Sequence, residues 1–285
     1  MSQFHTDNQT FISVVELKVE DIKRSLSFYE QMLGLRIKTH VHNKVVFTAD
    51  GKTPILSIVQ PNQVLPKQQR TTGLYHFALL LPNRKELGKV LCHLLDSHYP
   101  LQGASHHGTS EAIYLADPDG NGIELYADTD STTWHGSQGE IQFTTERLDV
   151  EALRQEGVGE HWDGIAPSTI VGHLHLHGAE LDNMREFYHK ALGFDIIVEI
   201  PNQAIFMSTG GYHHHIAVNV WNGLGAPIPP ENSVGLKMFY VDFPTKQQWN
   251  KALNQLLDLG YEVKTMESSF EVTDPSGNRV RCNSV

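Results

Sequence analysis

The 285-residue sequence predicts an α+β fold made of four copies of one unit: a β-strand, a helix, then three strands, with the helices outside the sheets. Paired markers recur along the chain, and such self-similarity fixes the architecture. Phe28-Tyr29, followed after three residues by Leu33-Gly34, returns as Phe187-Tyr188 and Leu192-Gly193. Gly73-Leu74 and Leu94-Leu95-Asp96 return as Gly235-Leu236 and Leu256-Leu257-Asp258, and Asp117-Pro118-Asp119-Gly120-Asn121 returns as Asp274-Pro275-Ser276-Gly277-Asn278. Each half also contains two strand–helix starts of similar form, so the halves divide again. After every helix come short β-type runs broken by turn formers.

The elements follow in order. Module one opens with a strand over 11–19 and continues into a helix whose Ile22, Leu26, Tyr29 and Leu33 form one buried stripe. Its later strands include 44–49 and 53–59, parted by the turn Asp50-Gly51. Module two, about 70–128, has a helix marked by Leu87, Val90, Leu91 and Leu94. Residues 131–167, polar and rich in Thr, Gly and Glu, read as a connector with a helix near 149–155. Module three, about 168–222, repeats the first stripe as Leu181, Met184, Tyr188 and Leu192, and module four carries Trp249, Leu253, Leu256 and Leu257. The domain organisation is therefore a tandem pair over 1–130, the connector, and a second pair over 168–285.

Composition narrows the function. A formal net charge of −11 without a basic run argues against nucleic acid and anionic membranes as partners, since phosphate neutralisation needs clustered Lys and Arg. There is no apolar stretch of transmembrane length, and the first ten residues lack the basic and apolar regions of a signal peptide, so a cytoplasmic protein is expected. Cys92 and Cys282 stand far apart without metal-type spacing and give neither a disulfide framework nor a thiolate cluster. Histidine, with 17 copies against 22 Lys and Arg, is abundant enough that any metal chemistry would use imidazole and carboxylate. No dinucleotide fingerprint, P-loop or nucleophile elbow is present.

Taken singly, the polar residues have plain readings. His173, His175 and His177 alternate onto one strand face, which could be solvated. His76 lies in an apolar run, as a satisfied core histidine would, and Tyr114 reads as core packing. Glu124, between Ile123 and Leu125, reads as a surface strand residue, and His213 to His215 as a surface run.

A βαβββ module duplicated twice, with FYxxxLG near the helix end and DPDGNxIE near the module end, resembles the vicinal-oxygen-chelate (glyoxalase/bleomycin-resistance/dioxygenase) superfamily over nearly the whole chain. The resemblance implies cup-shaped mixed sheets, each built by two modules, able to hold a divalent metal. It implies one ligand on the first strand of each paired module and a carboxylate on a last strand. The first-strand positions here are Val14, His76, His173 and Met238, and the last-strand positions are Glu124 and Arg281. Modules two and three thus supply His76, Glu124 and His173, a facial-triad set suited to Fe(II), with Mn(II) as the alternative ion, while modules one and four would form an empty cup.

Among members, the chain resembles the extradiol catechol 2,3-dioxygenases, and the resemblance implies an enzyme of aromatic catabolism acting on a small aromatic diol and O2. It assigns Tyr114, ten residues before Glu124, to the substrate, and His214, with Ala217 after it, to acid/base work, with His213 and His215 as competitors. A further substrate-facing histidine is His107, in preference to His106. The outer modules carry Ile55 in place of His214 and Glu271 in place of Tyr114. Glyoxalase-type isomerases and thiol transferases share the fold but generally add a fourth protein ligand, commonly Glu, and non-catalytic binding members share it too, so the site must decide. A homo-oligomer is left open.

Overall fold

The structure, a computed structural model, describes residues 2–137 and 139–284. Module one consists of β1 (Phe11–Lys18), α1 (Ile22–Ser27), β2 (Arg36–Val41), β3 (Lys44–Thr48) and β4 (Pro54–Val59). Module two consists of β5 (Gly73–Leu80), α2 (Arg84–Asp96), β6 (Gly103–His106), β7 (Ser110–Ala116) and β8 (Gly122–Asp128). The connector adds β9 (Glu146–Arg147) and α3 (Val150–Gly157). Module three is β10 (Ile170–His177), α4 (Leu181–Arg185), β11 (Asp195–Ile200), β12 (Ala204–Ser208) and β13 (Ile216–Asn219). Module four is β14 (Gly235–Phe243), α5 (Lys246–Asp258), β15 (Lys264–Thr265), β16 (Ser269–Thr273) and β17 (Arg279–Ser284).

Short polar side chains start the helices by accepting from main-chain N–H groups that lack helical partners. Asp21 caps α1, Asn83 caps α2, Asp149 caps α3 and Thr245 caps α5. Both α1 and α4 then widen into a π-helical turn, over Phe28–Met32 and Glu186–Ala191. There the Tyr29 hydroxyl donates to Asp117 Oδ2 at 2.8 Å, and the Tyr188 hydroxyl donates to Asp274 Oδ2 at 2.7 Å. The two strongest sequence markers, Phe-Tyr and Asp-Pro-x-Gly-Asn, are therefore the two ends of one buried hydrogen bond, made once in each half.

The strands form two mixed sheets, of eight strands in the order β15-β16-β17-β14-β1-β4-β3-β2 and of nine in the order β11-β12-β13-β10-β5-β8-β7-β6-β9. In each, a first strand pairs antiparallel with the first strand of a module from the other half, β1 with β14 and β5 with β10. Each first strand pairs parallel with the last strand of its own module. The halves are thus joined through the middle of both sheets.

The helix stripes face the core as their spacing predicts, with Ile22, Leu26 and Leu253 partly buried at its margin and one residue turned outward. Trp249 and Leu256 of α5 are buried, whereas Leu257 is 53% exposed, because the next residue along a helix points about 100° away. The connector holds more structure than its polarity suggests. β9 extends the nine-stranded sheet beside β6, and α3 lies against α2 so closely that a Cβ on Gly157 would sit 2.3 Å from the Gly88 main chain. Cys92 and Cys282 are free thiols, and no helix among the described residues is long and apolar enough to cross a membrane.

Candidate active site

Register across four strands of the nine-stranded sheet assembles the site. Tyr114 on β7 lies opposite Glu124 on β8, Glu124 lies beside Ala78 on β5, and Ala78 lies opposite His173 on β10. His76, two residues before Ala78, lies opposite His175. Strand alternation keeps all of these side chains on one face. Ala78 matters by being small, since it leaves room between Glu124 and His173.

Into that room three donor atoms converge. Glu124 Oε2 lies 3.0 Å from His76 Nε2 and 3.2 Å from His173 Nε2, and the two imidazole nitrogens lie 3.4 Å apart. His76, Glu124 and His173 are all buried, so the surface-strand reading of Glu124 and the solvated-face reading of His173 do not hold. Burial alone would raise the Glu124 carboxyl, but His173 and His76 outweigh it and hold it well below the usual carboxylate range. Burial likewise lowers His173, to about 4, against the pull of Glu124. An ionised carboxylate and a neutral imidazole are the protonation states a metal requires. His173 Nδ1 is buried without a hydrogen-bond partner among the described residues. Borderline nitrogen donors and one hard oxygen, convergent and dry, fit a divalent first-row metal.

The eight-stranded sheet repeats this row with different residues. Glu271 lies opposite Arg281, Arg281 beside Tyr240, and Tyr240 opposite Val14. Tyr240 fills the space that Ala78 leaves open, and the Arg281 guanidinium lies over its ring and pairs with Glu271. Cation and aromatic ring occupy the position a metal would need.

A cavity of about 700 Å³ opens beside the triad, lined by His76, Glu124, Tyr114, His107, His175 and His214. Its apolar wall includes Phe143, Val198, Ile200, Phe206 and Trp221. Glu124 is the one carboxylate among the described lining residues. His107 donates from Nδ1 to the Thr144 carbonyl at 3.0 Å, so its Nε2 is free to accept the Tyr114 hydroxyl at 2.7 Å. Burial first, and then the Glu124 charge, keeps Tyr114 protonated far above neutral pH. His106 does not line the cavity and accepts instead from the Gly108 N–H.

The histidine run after β12 is buried rather than a surface run, and each ring has its own partner. His215 accepts from the Thr209 N–H and donates to the Phe4 carbonyl, tying down the N-terminal segment. His213 donates from Nε2 to Asp128 Oδ1 at 3.0 Å, leaving its Nδ1 to accept from His214 Nδ1 at 2.8 Å. His214 therefore carries its proton on Nδ1 and presents a bare Nε2, and burial followed by the neighbouring His173 holds it well below its ordinary value. The Tyr212 hydroxyl also donates to Asp128 at 3.1 Å. Asp128 escaped the sequence reading, although the alternation that singles out Glu124 also puts Tyr126 and Asp128 on that face. His175, which the sequence placed on a strand face without a role, is buried and lines the cavity; its Nε2 accepts from Asn219, whose carbonyl oxygen accepts from His177.

Comparison with known proteins agrees with the fold and the full span. The chain belongs to the Glyoxalase/Bleomycin resistance protein/Dioxygenase superfamily, which it matches over residues 11–125 and 170–282. It is 40% identical to the catechol-2,3-dioxygenase of Bacillus subtilis (strain 168) over 278 residues, 96% of each chain. At that identity and coverage it is an enzyme, a catechol 2,3-dioxygenase-like dioxygenase. A 115-residue stretch is 30% identical to biphenyl-2,3-diol 1,2-dioxygenase 3 of Rhodococcus globerulus, covering 39% of this chain and 60% of that one. Maize glyoxalase I superposes with a TM-score of 0.59 at 13% identity, over 96% of this chain and 92% of its own, a likeness of fold alone.

Proposed function

We propose that the chain is an Fe(II)-dependent extradiol dioxygenase that inserts O2 into a catechol-type ring beside its hydroxyls, with a metal centre built by modules two and three. The observation that carries the reading is the convergence of two imidazole nitrogens and one carboxylate oxygen, within 4.8 Å of one another, beside a largely apolar cavity. His76, His173 and Glu124 hold the ion, with Mn(II) as the alternative. When bound, Fe(II) supplies adjacent open positions where both catechol oxygens and O2 can bind, and the substrate provides the electrons. Glu124, a single carboxylate, cancels half of a divalent charge and leaves a site that favours a catecholate over neutral ligands.

The chain's own groups do the rest. The bare Nε2 of His214 takes a proton from a substrate hydroxyl and later returns it, and the Asp128–His213 pair keeps it in the tautomer that can accept. Tyr114, whose proton goes to His107 Nε2, offers its hydroxyl oxygen as an acceptor to a substrate hydroxyl. Phe143, Phe206 and Val198 keep water from the ring. A glyoxalase-type isomerase would need a fourth ligand, and the described cavity lining offers no second carboxylate. Unpaired Cys92 and Cys282 suit a cytoplasmic setting.

Anaerobic loading with Fe(II), followed by catechol and air, tests the proposal. A yellow ring-fission product is the expected result. No product from catechol or alkylcatechols, with Zn- or Ni-dependent turnover of a glutathione adduct instead, would replace this reading by the isomerase.

A further inference from the structure

A second cavity, of about 1090 Å³, lies outside the proposed metal centre and straddles the internal duplication. Its wall includes Gly73-Leu74 from one half and Gly235-Leu236 from the other, and both Asp-Pro-x-Gly-Asn turns reach it through Gly120 and Gly277. Lys18, Lys67, Arg70, Lys237 and Arg279 line it, against two carboxylates, Asp119 and Glu231. This is a concentration of cations in a chain whose net charge is −11. Asp119 is engaged by Arg24 and Ser25, while Lys237 and Arg279 have partners in Glu16 and Glu271.

Lys18 and Lys67 differ. Neither has a carboxylate within ion-pair distance among the described residues. Lys18 donates to the main-chain carbonyl of Glu231, and Lys67 to that of Gly120. Burial lowers both ammonium groups below their ordinary values. Both side chains are half-buried, Lys18 is attracted by Glu231 and Lys67 by Asp117 without a close ion pair, and an anion in the space both face would give each ammonium the direct partner it lacks.

We infer that this cavity binds a small multivalent oxyanion, a phosphate ester or a dicarboxylate, held by Lys18 and Lys67 with Arg70 at the same wall. The site is separate from ring cleavage, so its failure would leave the proposed reaction standing.

Calorimetric titration of the full chain, purified without added metal because oxyanions chelate Fe(II), tests it with inorganic phosphate and with succinate. Saturable 1:1 binding that weakens with added salt and raises the thermal midpoint is expected. Tighter binding of phosphate assigns the phosphate-ester class, and tighter binding of succinate the dicarboxylate class. Lys67→Gln and Lys18→Gln should each weaken binding by about tenfold or more, the worth of one charge-assisted hydrogen bond. Both variants should keep the ligand-free thermal midpoint, since an unpaired cation is removed, and both should keep catechol turnover. Should Lys67→Gln fail to fold, Lys18→Gln carries the same comparison. Absence of saturable binding by either oxyanion, or binding unchanged in the folded variants, overturns the inference.

Discussion

Replacing Asp128 by Asn probes the imidazole pair behind the proposed base. Asp128 Oδ1 accepts from His213 Nε2 at 3.0 Å and from the Tyr212 hydroxyl at 3.1 Å, so it fixes the proton of His213 and, through it, that of His214. An asparagine that keeps its oxygen in that place preserves both tautomers and loses only the ionic part of the bond, about 1 kcal/mol, or tenfold in rate at most. An asparagine that turns its NH2 inward makes His213 accept at Nε2 and carry its proton on Nδ1. His214 must then accept at Nδ1 and hold its own proton on Nε2, where it can no longer act as a base, and kcat should fall by about 10² to 10⁴. Turnover at saturating catechol, iron content, and the ¹⁵N shifts of the imidazoles measured together separate the outcomes. Bound iron and KM should stay at wild-type levels in either case. A kcat within about twofold of wild type, with the His214 proton moved to Nε2, would refute the reasoning, because a base without its lone pair would still be working.

Three further outcomes are expected. His214→Phe should cut turnover by about 10²-fold or more while leaving iron bound, and an unchanged rate removes His214 from the mechanism. Glu124→Gln should weaken iron binding by about 10²-fold or more, read as metal per chain after anaerobic loading and gel filtration; full occupancy would exclude Glu124 as a ligand. In the eight-stranded sheet, burial alone would raise the Glu16 carboxyl from 4.5, but Lys237, Lys44 and Ser57 outweigh it and hold it at about 2. A folded value below the unfolded one adds stability that is complete above the unfolded pKa and is lost as pH falls through the folded one. Glu16→Gln should therefore cost about 3 kcal/mol at neutral pH, with the urea midpoints of the two proteins converging as pH approaches 2, and equal midpoints at pH 7 would contradict this.

The parts of the fold legible in the sequence are those governed by local periodicity. Leu87, Val90, Leu91 and Leu94 repeat at helical spacing and all are buried, and the strand–helix–three-strand order recurs in every module. The π-helical turns were not legible, because the same Phe-Tyr spacing fits an ordinary helix until Tyr29 has Asp117 to reach. The adjacent imidazoles of His213, His214 and His215 could not be ranked from sequence either. Their different partners, Asp128, the cavity and the Phe4 carbonyl, come from segments distant in the chain. Glu124 and His173 show the same limit, since alternation assigns a residue to a face but does not reveal what covers that face. For these two the resemblance to a family supplied what spacing could not, and in the structure they lie together with His76. The N-terminal segment carried no periodic signal, yet Phe4 stacks on Trp134 and His5 bonds the Gly172 carbonyl.

The pairing of β5 with β10 and of β1 with β14 bears on how the protein is made. A ribosome delivers His76 and Glu124 well before His173, and the first tandem pair emerges with the inner edges of β1 and β5 unpaired. Those edges are templates for any other extended chain until their partners arrive, so the nascent protein passes through an interval in which wrong pairing competes with right. Under the proposed assignment of His76, Glu124 and His173 as ligands, metal capture would wait for translation to pass residue 173, which would confine loading of the centre to a chain that has already committed both halves to a common fold.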